Sequence, residues 1–133
     1  MHYTIKQSFI RALAIASALL IFAGVVSAAE VPFERSQFVA AEATGKPVLV
    51  RFHATWCPTC RAQATVLAEL LAAPENADVT AFVVDYDDQN DVVRNFEVTS
   101  QSTLVVVKGE KEVSRSIGAT SKTALAAEIA KGR

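Results

Sequence analysis

The chain of 133 residues has two cysteines, Cys57 and Cys60, set two residues apart in the stretch HATWCPTCRAQ and directly after its only tryptophan, Trp56. Thiols at this spacing can close a small disulfide loop, contribute to a metal clamp, or cycle as a redox couple. A disulfide across so short a loop restrains little of the unfolded chain, because the entropic gain grows with loop length. A zinc clamp normally takes four ligands, and beyond residue 28 the chain offers the two cysteines and one histidine, His53. A redox couple asks for less: one thiol that ionises readily and a second close enough to attack it.

The surrounding elements decide whether the pair can cycle. Val48 to Ala54, VLVRFHA, is an apolar run of strand length, interrupted by Arg51 and His53, and reads as a strand buried on both faces. After it the period changes. Ala62, Val66, Leu67, Leu70 and Leu71 recur at steps of three and four, marking a helix from Cys57 to Leu71 with one apolar face. Pro58 suits the first helical position, which places Cys57 at the N-cap. There, unpaired backbone N–H groups and the helix dipole favour negative charge. Such a site lowers a thiol pKa from about 8.5 to between roughly 3.5 and 7.5. Cys57 is then the nucleophile, and Cys60, one turn on and deeper, resolves the mixed disulfide.

The rest of the chain reads as one α/β domain. Glu30 to Phe33 is a lead-in, and Glu34 to Ala43 is a helix capped by Gly45. Val79 to Tyr86 is a second strand, followed by a short helix from Asp87 to about Phe96. Thr103 to Val107 and Glu112 to Ile117 form a hairpin. A last helix, capped by Thr120 or Ser121, presents Leu125, Ala126 and Ile129. Four strands with helices between them make a sheet covered on both faces.

Residues 1–28 do not belong to this domain. Lys6 and Arg11 precede an unbroken apolar and small-residue run from Ala12 to Val26, with Ser27, Ala28 and Ala29 after it. The run is shorter than the roughly 20 residues of a membrane span and is followed as a signal peptidase site requires. The expectation is a secretory signal peptide cut after Ala28 or one residue later, the alternative being an uncleaved anchor. No cysteine stands directly after the run, so no lipoprotein anchor is expected. Removal takes the net charge from −1 to −3, which gives no electrostatic case for nucleic acid. Export also places the cysteines where disulfides form and persist.

GKPVLVRFHATWCPTC at 45–60, AFVVDYD at 81–87, FEVTSQSTLVVVKGEKEV at 96–113 and SIGATSKTAL at 116–125 together resemble the thioredoxin superfamily. The resemblance implies a thioredoxin-like domain over 29–133, an α/β fold with a central mixed four-stranded sheet flanked by helices. It also implies thiol-disulfide exchange with protein dithiols and disulfides through Cys57 and Cys60, without a cofactor. Trp56, Pro58 and Thr59 would tune the thiols or touch substrate. A periplasmic monomer is expected, with a membrane redox partner among the candidates.

Two positions depart from the pattern. The family commonly sets a cis-proline before the threonine that opens the strand opposite the cysteines. Here Ser102 precedes Thr103, and no proline follows Pro74. A non-proline cis bond costs about 2.5–4 kcal/mol, so a trans bond or a strained loop is expected, with the Ser102 hydroxyl either facing the Cys57 thiolate or exposed in a turn. Where thioredoxin-like reductases often keep a buried acid, this chain has Arg51, which cannot accept a proton. Arg51 would either lie beneath the cysteines and bias the couple toward oxidation, or snorkel outward, with Asp85 as its partner in both cases. His53 tunes the thiol or simply packs at the strand end. The competing functions are a copper- or zinc-handling module using the same cysteines, and a non-catalytic adaptor.

Overall fold

Side chains of the buried strand that precedes the cysteines point alternately to its two faces, and this alternation divides the core in two. In the computed structural model, which describes residues 28–133, this strand is β2, Pro47–His53, preceded by β1, Glu30–Pro32, and helix α1, Arg35–Ala43. Helix α2, Pro58–Ala72, follows, then β3, Thr80–Asp85, α3, Asn90–Asn95, β4, Thr103–Lys108, β5, Lys111–Ile117, and α4, Lys122–Ala130. The expected signal peptide falls almost wholly outside the described residues. Among those described, no helix is long and apolar enough to cross a membrane.

The sheet has five strands in the order β1-β3-β2-β4-β5. β1 and β2 run parallel to β3, while β2 pairs antiparallel with β4, and β4 with β5. The expected four-stranded sheet therefore gains an edge strand. Glu30–Pro32 was legible only as a lead-in because three residues show no alternation, and its strand character comes from docking on Ala81, Phe82 and Val83.

Successive β2 side chains point to opposite faces. Val48, Val50 and Phe52 enter one layer with Phe33, Phe38, Phe82, Val92 and Val93, under α1 and α3. Phe38 lies 5.4 Å from Phe96 and Phe52 lies 5.5 Å from Phe96, in edge-to-face geometry. Leu49 enters the other layer with Leu104, Val106, Leu67, Leu70, Leu71, Leu125 and Ile129, under α2 and α4. Burial on both sides explains why β2 is apolar apart from Arg51 and His53.

Two ends differ in detail from expectation. The buried face of α2 is Cys60, Gln63, Leu67, Leu70 and Leu71, whereas Ala62 is exposed. The face is thus rotated toward the cysteines and includes a glutamine. Ser121, of the two expected caps, accepts the Ala124 amide at 3.2 Å at the start of α4. Gly45 takes φ +70 just past α1, a left-handed conformation that glycine adopts freely.

Candidate redox site

Cys57 is the N-cap of α2, with extended backbone angles and Pro58 next to it. Its sulfur accepts the Cys60 amide at 3.1 Å, so the sulfur does what a capping oxygen does elsewhere. Cys60 lies behind it, fully buried, while Cys57 is 3% exposed between exposed residues on either side. Both thiols are free.

Trp56, Pro58 and Thr59 form the exposed rim. The Trp56 indole N–H donates to Asp87 at 2.9 Å, which fixes a ring that is 59% exposed. Beneath the rim, Tyr86 and Ala54 pack against the two cysteines.

Ser102 is buried, and its hydroxyl faces the thiols. Oγ lies 3.2 Å from the Cys57 sulfur and 3.0 Å from that of Cys60. The described residues contain no cis peptide bond, and Ser102 has φ +62. Both expected features, a trans bond and a strained backbone, therefore occur together. The conformation is held by bonds to three elements. Ser102 N–H donates to Phe52 O at 2.9 Å, and its carbonyl accepts from Gly118 N–H at 3.0 Å and from the Gln63 side chain at 3.3 Å. Thr103 is buried too, with its hydroxyl donating to Ser100 O at 2.7 Å.

Gln63 went unnoticed in the sequence. It is fully buried, and its amide N–H groups reach Ser102 O and, at 3.1 Å, Ala119 O. The available signal was its position, one turn beyond Cys60 and four residues before Leu67 on the buried face.

Arg51 is 4% exposed and points to the α2 side of the sheet, but its partner is Glu30 and not Asp85. Nε and Nη2 donate to the two Glu30 carboxylate oxygens at 2.6 and 2.9 Å, and Nη1 donates to His53 Nδ1 at 2.8 Å. Asp85 is committed elsewhere, accepting the amides of Asp87 and Asp88 at 3.0 Å each. Three of the five guanidinium N–H groups are thus taken by Glu30 and His53, and among the described residues none donates to either sulfur. A guanidinium has only donors, so His53 accepts at Nδ1 and carries its proton at Nε2. Burial holds the His53 pKa below its ordinary value. The Arg51 charge adds to this, Glu30 and Asp85 oppose it, and Arg61 lowers it further.

Burial pushes the Cys57 thiol up. Hydrogen bonds from the Cys60 and Ser102 side chains and from the backbone at Cys60 and Thr59 outweigh burial, and the net shift is downward. Hydrogen bonding, and not a charge from Arg51, thus lowers the pKa of the cysteine at the helix start.

The thioredoxin family model matches residues 29–131. This chain belongs to the thioredoxin family. It is 42% identical over 86 residues to the thioredoxin of Mycobacterium bovis, covering 65% of this chain and 73% of that one. To a Thioredoxin H-type of Brassica campestris it is 36% identical over 105 residues, covering 78% and 84%. Among solved structures, Trxlp from Edwardsiella tarda superposes with a TM-score of 0.74 at 40% identity, over 76% of this chain and 98% of that one. A thioredoxin from Nicotiana alata gives 0.68 at 28% identity, over 80% and 94%. This family member is accordingly a thiol-disulfide oxidoreductase with Cys57 and Cys60 as its CxxC pair. Metal handling finds no support, since no group of three or more His, Cys, Asp or Glu among the described residues could hold an ion.

The depressed Cys57 thiol makes the stability of the reduced protein depend on pH. A group whose folded pKa lies below its unfolded value contributes stability that is full above the unfolded value and is lost as pH falls through the folded one. Relative to Cys57→Ser, the urea midpoint of the reduced protein is expected to rise as pH climbs toward about 8.5, the ordinary thiol value. Parallel curves for the two proteins would contradict the lowered thiol.

Proposed function

We propose that this thioredoxin-family oxidoreductase is exported to the bacterial periplasm or an equivalent space, where it exchanges disulfides with partner proteins as a monomer. The observation that carries the chemistry is Cys57 at the N-cap of α2, its sulfur accepting the Cys60 amide. Export is supported by the leader-like pattern of residues 1–28.

Cys57 thiolate attacks one sulfur of a partner disulfide, forming a mixed disulfide and releasing one partner thiolate. Cys60, as thiolate, then attacks the Cys57 sulfur and expels the second partner thiolate, leaving a Cys57–Cys60 disulfide. Two electrons pass to the partner. Run backwards, the same steps oxidise a partner dithiol. Trp56, Pro58 and Thr59 border Cys57 and supply the contact surface for the partner chain. A membrane redox protein is a candidate for restoring the couple.

Cys60→Ser should arrest the reaction at the mixed disulfide. Full-length C60S protein expressed in a bacterium with a periplasm is expected in the periplasmic fraction. It should begin at Ala29 or Glu30 and carry partner proteins that dithiothreitol releases. Retention of residues 1–28 in the cytosolic fraction would overturn export, and a C60S protein free of adducts would overturn the protein-substrate reading.

A further inference from the structure

We propose that Ser102 is a catalytic residue of the exchange reaction, its one O–H donating to the Cys57 thiolate during attack and to the Cys60 thiolate during resolution. The inference rests on the Cys57–Cys60 exchange set out above.

The geometry suits both roles. Among the described residues, Ser102 Oγ is the one side-chain oxygen or nitrogen within hydrogen-bonding distance of the Cys60 sulfur, at 3.0 Å, and it also lies 3.2 Å from Cys57. A serine hydroxyl has one donor and two acceptor positions and rotates freely about its C–O bond. It can accept from one thiol while donating to the other sulfur as thiolate. At 3% exposure Ser102 is buried, where a hydrogen bond to a charged sulfur is stronger than in water.

The surroundings fix this hydroxyl in place. A left-handed non-glycine residue persists only where its neighbours over-determine it. Phe52 O, Gly118 N–H and the Gln63 side chain do so here. Gln63 holds the Ser102 carbonyl although its own Oε1 has no partner in the interior, a cost that buried amides seldom carry.

In the reduced protein Ser102 O–H donates to the Cys57 thiolate. Cys57 attacks the substrate disulfide R–S–S–R′. A sulfur–sulfur bond forms between Cys57 and R, and R′–S⁻ departs to take a proton from water. The Cys57 sulfur then carries no charge, and the Ser102 proton turns to Cys60. Cys60 releases its proton to water and, as thiolate, attacks the Cys57 sulfur. The Cys57–R bond breaks as the Cys57–Cys60 bond forms, and R–S⁻ leaves. The dithiol is oxidised by two electrons and the substrate reduced by two. With arginine at position 51, no carboxylate is required at Cys60, because the hydroxyl stabilises the thiolate once the proton has gone to water.

The test compares Ser102→Gly and Ser102→Ala with the wild-type mature chain. Glycine adopts φ +62 without strain, so S102G removes the hydroxyl while keeping the loop, and alanine keeps the Cβ. Attack is read as the pH profile of Cys57 alkylation by iodoacetamide. Resolution is read as release of 5-thio-2-nitrobenzoate from its mixed disulfide on Cys57. In both variants the alkylation midpoint is expected to rise by about one pH unit, a roughly three- to fourfold slower reaction below both midpoints once the greater nucleophilicity of the more basic thiolate is counted. Release should slow by a similar factor. Unchanged rates in both assays would overturn the proposal, and so would slowing of attack alone. A Cys57→Ser protein that reduces the model disulfide as fast as wild type would instead overturn the exchange reading itself.

Discussion

Cys57→Ser is expected to lower turnover of a model disulfide to the rate measured without protein. A serine hydroxyl at a helix N-terminus remains protonated at neutral pH and does not attack disulfides. Cys60 cannot substitute, because it is fully buried behind Cys57. Cys60→Ser keeps the nucleophile, so it should give one rapid attack followed by arrest as the mixed disulfide. The contrast between a silent variant and a trapped one assigns the two sulfurs; a dithiothreitol-coupled turnover assay reads the first, and mass analysis of the pre-reduced protein after dithiothreitol has been removed reads the second.

Arg51→Met should have the largest effect on stability. It leaves Glu30 without its bidentate partner, and removing one member of a buried pair typically costs about 3–5 kcal/mol. Glu30 keeps 16% of its side chain in solvent, so a loss of about 3 kcal/mol, the lower end, is expected, or roughly 12 °C in Tm. Because Glu30 lies on β1, the loss should be accompanied by fraying of that edge strand, seen as faster amide exchange at Ala81 and Val83, whose N–H groups face β1 as does the Val83 carbonyl that accepts Phe33 N–H. The double variant Arg51→Met with Glu30→Met removes both charges, and replacing a buried pair with apolar groups is often neutral or stabilising. Recovery of most of the lost stability is therefore expected. If R51M alone matches wild type in thermal unfolding, the pair is not the anchor of β1. A change in the Cys57 alkylation midpoint in R51M would show that Arg51 acts on the thiol after all.

The contrast between Cys57 and Arg51 shows what the sequence can carry. The N-cap position of Cys57 follows from Pro58 and the change from strand to helical period, both local signals. The buried strand before it and the helix after it are read in the same way. The identity of the Arg51 partner is not local. Glu30 lies 21 residues away in a strand of three residues, and only the parallel docking of β1 on β3 brings it over β2. Asp85, directly across from His53 in the register, is the reasonable choice until its carboxylate is seen to cap the Asp87–Asp88 turn. Ser102 was visible as a departure from the family pattern, but its contact with both sulfurs depends on a left-handed backbone that no sequence rule assigns to serine. Gln63 was hidden because a lone glutamine in a helix ordinarily faces water. Here it faces two carbonyls of loops that come from β4 and β5, 39 and 56 residues further along the chain.

The central claim is that Cys57 and Cys60 are one reversible two-electron couple, and a redox titration of the protein in glutathione buffers tests it most directly. A single transition is expected, shifting tenfold in ratio for every 29.6 mV or so, with a midpoint between about −270 and −120 mV because thiolate stabilisation at Cys57 favours the reduced form. The oxidised product should be a monomer lacking two hydrogens. Absence of a transition, or oxidation only to disulfide-linked dimers, would contradict the account.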